Sequence, residues 1–562
     1  MSENLNLNII KIMKWEISDF DALARLGKLT VNNKLMSTPN LFPVLHPFKN
    51  IISTSDLKKI GAQCVFTNAY IIYQNHQIRR SILEKGIHSY LNFDGIIATD
   101  SGAFQKYMHN KSKIEIQAED IEKFQEDIGT DLAVILDEPV QPDDDYETAE
   151  KKVNLTIQRA KDNIIRRKKD TCYWFGPIHG AKYNDLLTIS TLEMNALNFD
   201  IYAIGGLVKS LLNYRFDLVI GILLNVKRYI ALNKPIHMFG LGLPQFFSLA
   251  IACGCDLMDS AAYILFAKED RYFTLSTGTR KLEELVEFPC HCPICCEYKP
   301  KEVINFDDKL RTELLAKHNL YISFSELRTI RQAIREGNLW ELVEQRVRNH
   351  PTLVTALEIV KSNLHNIEKH EKLYKTHGRL YSSSESINRP LIYRYESKLK
   401  NNYRVPKEAN FLVILPELDI KGEKSPSIKK WLEKLDSDSI IPRNLLHVGF
   451  FSNFYGIIPL ELSYTFPMGQ HECIEFSSRN EIIYQNLVRK TELFFDLYGH
   501  YYSKCGILIP EKYINQFNET VEFSKRDLLI NLVEKLKLKF KLKIAHFKDI
   551  TPLIRFFKND VE

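Results

Sequence analysis

A compact group of thiols occurs near the middle of the chain, in the segment FPCHCPICC. It places Cys290, Cys292 and Cys295 within six residues, and His318 follows after a helical or irregular stretch. Structural zinc takes four tetrahedral nitrogen or sulfur ligands, and three cysteines with one distant histidine complete such a set. The sequence therefore predicts a zinc site with every position filled by protein, which makes the metal structural. Adjacent cysteines seldom both reach one metal, so we expect Cys296 to be a bystander; the alternative to zinc is a chance cluster of reduced thiols.

Carboxylates and other polar residues follow a series of short apolar runs elsewhere in the sequence. Carboxyl groups can act as nucleophiles or transfer protons, and glycine-rich turns let a ligand approach the backbone closely. The polar positions directly after the runs are Asn68, the block 100–105 (DSGAFQ), Asp137 with Glu138, the turn 176–180 (GPIHG), Gly205 with Gly206, the loop 240–244, and Asp259, which ends the last run.

The elements that would position these residues are eight short apolar runs separated by longer amphipathic stretches. The amphipathic stretches include 146–166 and 211–232, and the alternation is typical of βαβ units that build a parallel sheet. We predict a (β/α)8 barrel of the TIM type, in which reactive groups sit at the carboxyl ends of the strands. The alternative is a doubly wound open sheet, but no glycine-rich dinucleotide fingerprint follows the first strand. The eight predicted strands are 41–44, 64–67, 96–99, 132–136, 172–175, 201–204, 236–239 and 255–259.

The composition is that of a folded protein with more than one domain. The chain has 562 residues, 45% of them hydrophobic and 26% charged, whereas a single core stops growing at roughly 250 to 300 residues. The net charge of +5 permits a polyanionic partner without requiring one. We see neither a signal peptide nor an apolar stretch of membrane-spanning length, and the remaining cysteines are scattered, so we expect a cytoplasmic protein without a disulfide framework.

The motifs DSGAFQ (100–105), LDEP (136–139), GPIHG, FGLGLPQFF (239–247) and GCDLMDSAAY (254–263), with the CxCxxC group and its later histidine, resemble the tRNA-guanine transglycosylase family. The segment 318–343 is similar to the archaeal branch. This resemblance, which covers about residues 35–350, implies a (β/α)8 barrel with a zinc-binding insertion and a pentosyltransferase that acts on tRNA. For the archaeal branch it implies archaeosine biosynthesis, in which 7-cyano-7-deazaguanine, a 7-deazaguanine base, replaces guanine at position 15 in the D-arm.

The resemblance also assigns the two groups that would carry the chemistry. Asp259 matches the nucleophile, whose carboxylate forms a covalent ester with the ribose; the alternative is a helix N-cap that precedes Ser260 and Ala261. Asp256, three residues earlier, is the competing carboxylate and matches the family pattern less well. Asp100 matches the group that protonates the departing guanine and then removes a proton from the incoming base.

A second set of residues would bind the base. By resemblance Phe104 stacks on it, Asp137 accepts hydrogen bonds from its N–H edge, and the turn Gly205–Gly206 lines its pocket. The alternatives without a functional role are a position in the hydrophobic core for Phe104 and an ion pair with a lysine or arginine for Asp137. Where the family usually carries glutamine, this chain has His179, which exchanges an amide for a titrating imidazole and puts the identity of the incoming base in doubt.

Beyond the barrel the sequence predicts a further α+β region. We assign 1–350 to the catalytic domain with its zinc site at 290–318, 351–390 to a helical and polar linker, 391–523 to an α+β C-terminal domain that resembles the one following the barrel in archaeal members, and 524–562 to a basic tail. The family often ends in an RNA-binding PUA domain, for which too little chain remains. In KLKLKFKLK (535–543) a strand would place every lysine on one face, suited to phosphates or to guarding a sheet edge.

Two other functions are compatible with these motifs. One is a catalytically silent, tRNA-binding paralogue or partner subunit, against which the presence of both Asp100 and Asp259 argues. The other is a paralogue like the archaeosine synthase, which acts after base insertion. Further partners compatible with the sequence are a second copy of the chain, as a homodimer, and a separate RNA-binding protein, whereas no membrane partner is predicted.

Overall fold

A computed structural model describes residues 13–103, 116–168, 172–275, 278–418, 421, 424–437, 441–474 and 481–558. The chain divides into two compact units, Met1–His370 and Glu371–Glu562. Within the described ranges, no helix combines the length and the apolar character needed to cross a lipid bilayer.

A three-stranded antiparallel sheet opens the first unit and covers one end of its core. Its strands are β1 (Met13–Asp21), β2 (Ala24–Val31) and β3 (Lys34–Thr38). Leu29, Val31 and Met36 from this sheet pack in one cluster with Cys64 and Leu132, which stand at the starts of two later parallel strands. The small sheet therefore covers the amino-terminal end of the strands that follow.

Eight parallel strands form the centre of the first unit. Neighbours along the chain pair in sequence from the second strand to the last, and the first strand pairs with the last. A parallel bridge between Val44 and Phe66 joins the first strand's end to the second and completes the ring. The predicted (β/α)8 barrel is confirmed. The strands are β4 (Asn40–Pro43), β5 (Cys64–Asn68), β6 (Ile96–Asp100), β7 (Leu132–Val134), β8 (Tyr173–Ile178), β9 (Ile201–Ile204), β10 (Ile236–Met238) and β11 (Leu257–Ser260).

Helices lie between the barrel strands, as the amphipathic stretches predict. They are Thr54–Ile60, Ala69–Gln74, His76–Lys85, Ile87–Leu91, Ala118–Asp127, Tyr146–Arg166, Asn184–Ala196, Val208–Leu212, Phe216–Tyr229, Pro244–Ala252 and Ala262–Lys268.

The main differences from prediction are at strand ends. The apolar run 132–136 stops pairing at Val134, because side chains take the next two carbonyl groups: Ser101 Oγ donates to Ile135 O (3.0 Å) and Arg159 Nη1 to Leu136 O (3.2 Å).

The segment with the cysteine cluster follows the barrel. A hairpin of β12 (Arg271–Thr274) and β13 (Gly278–Lys281) leads through a 3₁₀ turn, Leu282–Glu284, to the short helices Pro293–Glu297 and Pro300–Ile304. The long helix Asp308–Glu336 comes next. Asp307 caps its start by accepting hydrogen bonds from the backbone N–H groups of Lys309 and Leu310, and Gly337 ends it in the left-handed conformation (φ +71°).

The boundary between the two units falls inside the segment 351–390 that the sequence assigns to a linker. The first part of that segment is folded: helix Pro351–Lys361 packs against helix Phe216–Tyr229 of the barrel, and Leu364–Ile367 continues the same unit. Leu353, Ala356, Leu357 and Val360 are buried at three-to-four spacing, which explains why this stretch is a helix of the first unit.

The second unit is built on a five-stranded sheet, flanked by two smaller pairings. The order in the large sheet is β17-β16-β15-β19-β22, and all its pairings are parallel except that of β17 with β16. The strands are β14 (Arg379–Tyr381), β15 (Phe411–Pro416), β16 (Leu446–Ser452), β17 (Gly456–Pro459), β18 (His471–Cys473), β19 (Lys504–Leu508), β20 (Lys512–Ile514), β21 (Thr520–Glu522) and β22 (Lys543–Phe547). The helices are Pro390–Asn401, Pro426–Asp436, Glu481–Tyr498, Arg526–Lys539 and Ile550–Lys558.

The lysine-rich tail differs from the predicted strand. Residues 526–539 form a helix, so Lys535, Lys537 and Lys539 do not share one face of a strand, and β22 begins only at Lys543. The helical period prevails because the helix buries a three-to-four-spaced set, Leu529, Leu532, Val533 and Leu536. The strand β22 then pairs with β19, so this part of the chain belongs to the second unit's sheet instead of forming a separate basic element.

Candidate functional site

A cavity of about 810 Å³ opens at the carboxyl ends of the barrel strands. The polar groups that follow different strands meet there, as the topology requires. Phe104 lies outside the described residues. Every other residue predicted to react with or bind the substrate lines the cavity: Asp100, Asp137, His179, Gly205, Gly206 and Asp259.

Asp259 stands near the end of β11 and is held by the neighbouring strand. Its Oδ1 accepts a hydrogen bond from His237 Nε2 (2.8 Å) and from the backbone N–H of Gly240 (3.3 Å). The following helix, Ala262–Lys268, has Ala261 as its N-cap, and Ser260 Oγ accepts from the backbone N–H of Ala262. Asp259 is therefore not the cap of that helix, and its second carboxylate oxygen is available to the cavity.

His237 was not among the residues singled out from the sequence. It lies on β10 within the run IHMF, fully buried, and its ring packs against Phe42, Phe66 and Phe175 with centroids 5.2 to 5.9 Å apart. Only the pairing of β10 with β11, which sets His237 beside Leu257, brings its Nε2 to the Asp259 carboxylate. A lone histidine inside an apolar run was the only signal available from the sequence.

Asp256, the competing carboxylate, lies directly before β11, at the end of the strand away from Asp259. It is completely buried, and its Oδ1 accepts from Arg25 Nε (3.0 Å) while Oδ2 accepts from the backbone N–H of Ile236 (2.8 Å) and from Arg25 Nη2. Both oxygens are used in this ion pair with β2. Asp256 does not line the cavity, and its position accounts for its presence as a structural anchor.

The carboxyl group of Asp100 has a pKa well above its ordinary value. Burial, then the negative charge of Asp137 and to a smaller extent that of Asp259, raise its pKa to about 7, against the hydrogen bond that it accepts from the backbone N–H of Gly102. Asn68 Nδ2 donates to its other oxygen (3.2 Å). A carboxyl group with this pKa can both give and take a proton near neutral pH.

Asp137 and His179 form a buried pair in the wall of the cavity. His179 Nε2 lies 2.7 Å from Asp137 Oδ2, and His179 Nδ1 is buried without a hydrogen-bond partner among the described residues. The ring fits against Gly205, where an added Cβ would come within 2.2 Å of His179 Cε1. At Gly206, φ is +74° and a Cβ would meet Val140 O at 2.1 Å, so both glycines are needed for this wall.

The four predicted metal ligands also come together, away from the cavity lining. His318 is buried on helix Asp308–Glu336, and its Nε2 lies 3.0 Å from Phe273 O, which makes it the donor there. Its Nδ1 then presents a lone pair to the sulfur atoms of Cys292 (3.5 Å) and Cys295 (3.3 Å). This orientation fits a tetrahedral ion. Cys296 is exposed and outside the group, whose ligand atoms all lie within 4.8 Å of one another: Cys290, Cys292, Cys295 and His318.

Comparison with known proteins identifies the family. Residues 19–352 match the family described as "TGT: Queuine tRNA-ribosyltransferase". The chain is similar to a tRNA-guanine(15) transglycosylase of Methanocaldococcus jannaschii, 40% identical over 84% of this chain and 70% of the relative. It is also similar to proteins of the same name from Methanococcus maripaludis, 38% identical over 88% of this chain and 75% of the relative, and from Pyrococcus furiosus, 39% identical over 69% and 65%. The chain belongs to the TGT family and is a pentosyltransferase that exchanges a base in tRNA.

Proposed function

We propose that this protein replaces guanine at position 15 of tRNA by 7-cyano-7-deazaguanine, with Asp259 as the nucleophile. The observation that carries the proposal is the arrangement of three carboxyl groups around one cavity, of which Asp100 has a pKa of about 7 while Asp259 is oriented by a buried histidine. The position in tRNA follows the name of the similar archaeal proteins. The incoming base follows the resemblance of the motifs.

In the first displacement the free oxygen of Asp259 attacks C1′ of the ribose. The C1′–N9 bond breaks, its electron pair goes to guanine N9, and Asp100 supplies the proton that this nitrogen needs. In the second displacement Asp100 takes the N9 proton of the incoming base, N9 attacks C1′, and the ester bond to Asp259 breaks. The backbone stays intact because only bonds at C1′ change.

His237 has a positioning role in this scheme. Its Nε2–H fixes one oxygen of Asp259, so the carboxylate needs no reorientation before it attacks. Phe42, Phe66 and Phe175 pack around the ring of His237 and hold it in place beside the carboxylate.

Asp137, His179, Gly205 and Gly206 would bind the base, with Phe104 stacking on it. Guanine and its 7-deaza analogues offer a ring N–H and an exocyclic amino group on one edge, and a carboxylate can accept both. The hydrogen bond to His179 holds Asp137 in one orientation. Because the two glycines have no side chain, their turn can pack closely against the His179 ring and Val140 O at the wall of the cavity.

The cysteine cluster would hold Zn²⁺ in a structural role. Three thiolates and one imidazole occupy all four positions of a tetrahedral ion, so no position is left for water or substrate. The ion would fix the segment after β13 to the long helix Asp308–Glu336.

A base-incorporation assay tests the proposal. Purified protein is incubated with radiolabelled 7-cyano-7-deazaguanine or guanine and with two tRNA transcripts, one carrying G15 and one carrying A15. Label should enter only the G15 transcript, and Asp259→Asn should prevent it. Incorporation into both transcripts would contradict position 15. Tight tRNA binding without incorporation of either base would favour the silent tRNA-binding paralogue.

A further inference from the structure

We infer that the second unit contains a separate site for a borderline divalent transition-metal ion such as Zn²⁺, formed by Glu417, His471 and Cys473. Each residue offers one ligand atom, and these atoms lie within 4.8 Å of one another. The carboxylate, imidazole and thiolate match the donor types that Zn²⁺ accepts. Three protein ligands leave a fourth position for water or a small ligand.

The positions of the three residues on their strands explain how their side chains come together. His471 and Cys473 stand two residues apart on β18, so their side chains lie on the same face of the strand. Glu417 directly follows β15, the central strand of the five-stranded sheet. The strand order reverses at β15, because the chain passes from β15 to β16 on one side and later returns to β19 on the other. The carboxyl ends of strands at such a switch point form the crevice where open α/β sheets bind ligands.

The orientation of His471 is that of a metal ligand. Its Nδ1 lies 3.0 Å from Met468 O and 3.3 Å from Pro467 O, so this nitrogen carries the hydrogen and donates it. In the neutral ring Nε2 then has a lone pair, and it faces Glu417 Oε1 at 3.1 Å. Two lone pairs at this distance in a buried place repel each other unless a positive centre lies nearby: a proton on His471 Nε2, the ammonium group of Lys421 or a metal ion. A histidine that binds metal usually donates the N–H of its other ring nitrogen to an acceptor such as a backbone carbonyl group.

The surroundings are compatible with an ion. Cys473 Sγ lies 3.9 Å from Glu417 Oε2, and Asn453 Nδ2 approaches the same sulfur at 3.7 Å, as a donor to a thiolate would. Glu417 and His471 are buried, with 8% and 4% of their surfaces exposed. Lys421 Nζ also lies 3.1 Å from Glu417 Oε1. The competing explanation is thus a purely ionic cluster, in which a protonated His471 and Lys421 share the carboxylate.

Metal analysis of the full-length protein separates the two explanations. After expression with added Zn²⁺ we expect two equivalents of zinc in the wild-type protein, one in this site and one in the cluster with Cys290. Cys473→Ser and Glu417→Gln should each carry one equivalent, whereas Cys505→Ser, which removes a buried thiol from β19 of the same unit, should keep two. One equivalent in the wild-type protein, with no loss in Cys473→Ser, would leave only the ionic cluster.

A second measurement on the unaltered protein does not depend on how the variants fold. Metal-free protein is alkylated with iodoacetamide, with and without Zn²⁺, and the modification of each cysteine is followed by mass spectrometry. Zn²⁺ should slow alkylation of Cys473 at least tenfold and leave the rate at Cys505 unchanged. Equal rates at Cys473 with and without Zn²⁺ would overturn the inference, even if the barrel cluster is fully protected.

Discussion

Replacing Asp100 by asparagine should make the barrel more stable above neutral pH while it removes activity. The unfolded chain ionises this carboxyl near 3.8, whereas the folded protein holds its pKa at about 7, because burial and the charge of Asp137 disfavour the carboxylate. Below pH 3.8 the group is protonated in both states and the substitution changes little. Between pH 3.8 and about 7 the unfolded chain ionises while the folded protein stays protonated, so the wild-type protein loses stability over this range. Above pH 7 both states are ionised, and the difference stays at about 4 kcal/mol, at 1.36 kcal/mol per pKa unit.

Asparagine carries no charge at any of these pH values and keeps an oxygen for the backbone N–H of Gly102. The stability advantage of Asp100→Asn should therefore be near zero at pH 4, grow up to pH 7, and approach about 4 kcal/mol at pH 8. Base exchange should fall by about 10² to 10⁴, since proton transfer is lost. A group tuned for chemistry would thus be a source of instability in the resting protein.

Urea unfolding at pH 4, 6 and 8, followed by tryptophan fluorescence, measures this difference. The first unit holds Trp15, Trp174 and Trp340, and the second only Trp431, so the signal reports mainly on the barrel. Asp217→Asn is the matched control. Its hydrogen bond and ion pair with Arg215 lower the pKa of Asp217, so this substitution should be slightly destabilising at pH 8 and neutral at low pH. An Asp100→Asn advantage that is absent at pH 8, or that does not vary with pH, would refute the reasoning.

Three further predictions concern the other predicted site residues. With tRNA and a base analogue that cannot complete the second displacement, wild-type protein should give a protein–RNA adduct that survives denaturation, and Asp259→Asn should give none; an adduct in that variant would move the nucleophile elsewhere. Asp137→Asn should weaken binding of the incoming base by about 1 to 3 kcal/mol and leave tRNA affinity unchanged, as measured by calorimetry and filter binding; the reverse result would show that Asp137 contacts tRNA instead. Cys292→Ser or His318→Asn should each release one equivalent of metal and lower the thermal unfolding temperature of the barrel, whereas the same change at exposed Cys296 should do neither.

The barrel could be predicted from the sequence because its strands are short, apolar and separated by helices. All eight predicted strands are present. The polar residues that follow them meet in one cavity, because the strands are parallel and their carboxyl ends all lie at the same end of the barrel. The choice between Asp256 and Asp259 rested on resemblance alone. In the structure Asp256 directly precedes β11 and is buried, whereas Asp259, three residues later, lines the cavity near the other end of the strand. Composition does not distinguish these two positions.

Contacts between distant segments could not be predicted. His237 reaches Asp259 only through the pairing of two strands, and the hydrogen bond between His179 and Asp137 joins residues 42 positions apart. In the tail, alternating lysines and leucines suit a strand as well as a helix. The burial of Leu532 and Leu536 against the second unit decides between them, and that burial exists only in the folded sheet.

The two ends of β11 have a practical consequence for redesign of the barrel. At the amino-terminal end of β11, Asp256 accepts a hydrogen bond from the backbone N–H of Ile236, and near its carboxyl end Asp259 accepts one from His237. Side-chain hydrogen bonds therefore join β10 to β11 at both ends of this strand pair. Engineering that aims to change the accepted base should therefore leave this strand pair untouched. Variation can be confined to His179 and to positions that flank Gly205 and Gly206, where a library can sample new pocket shapes without shifting the Asp259 carboxylate.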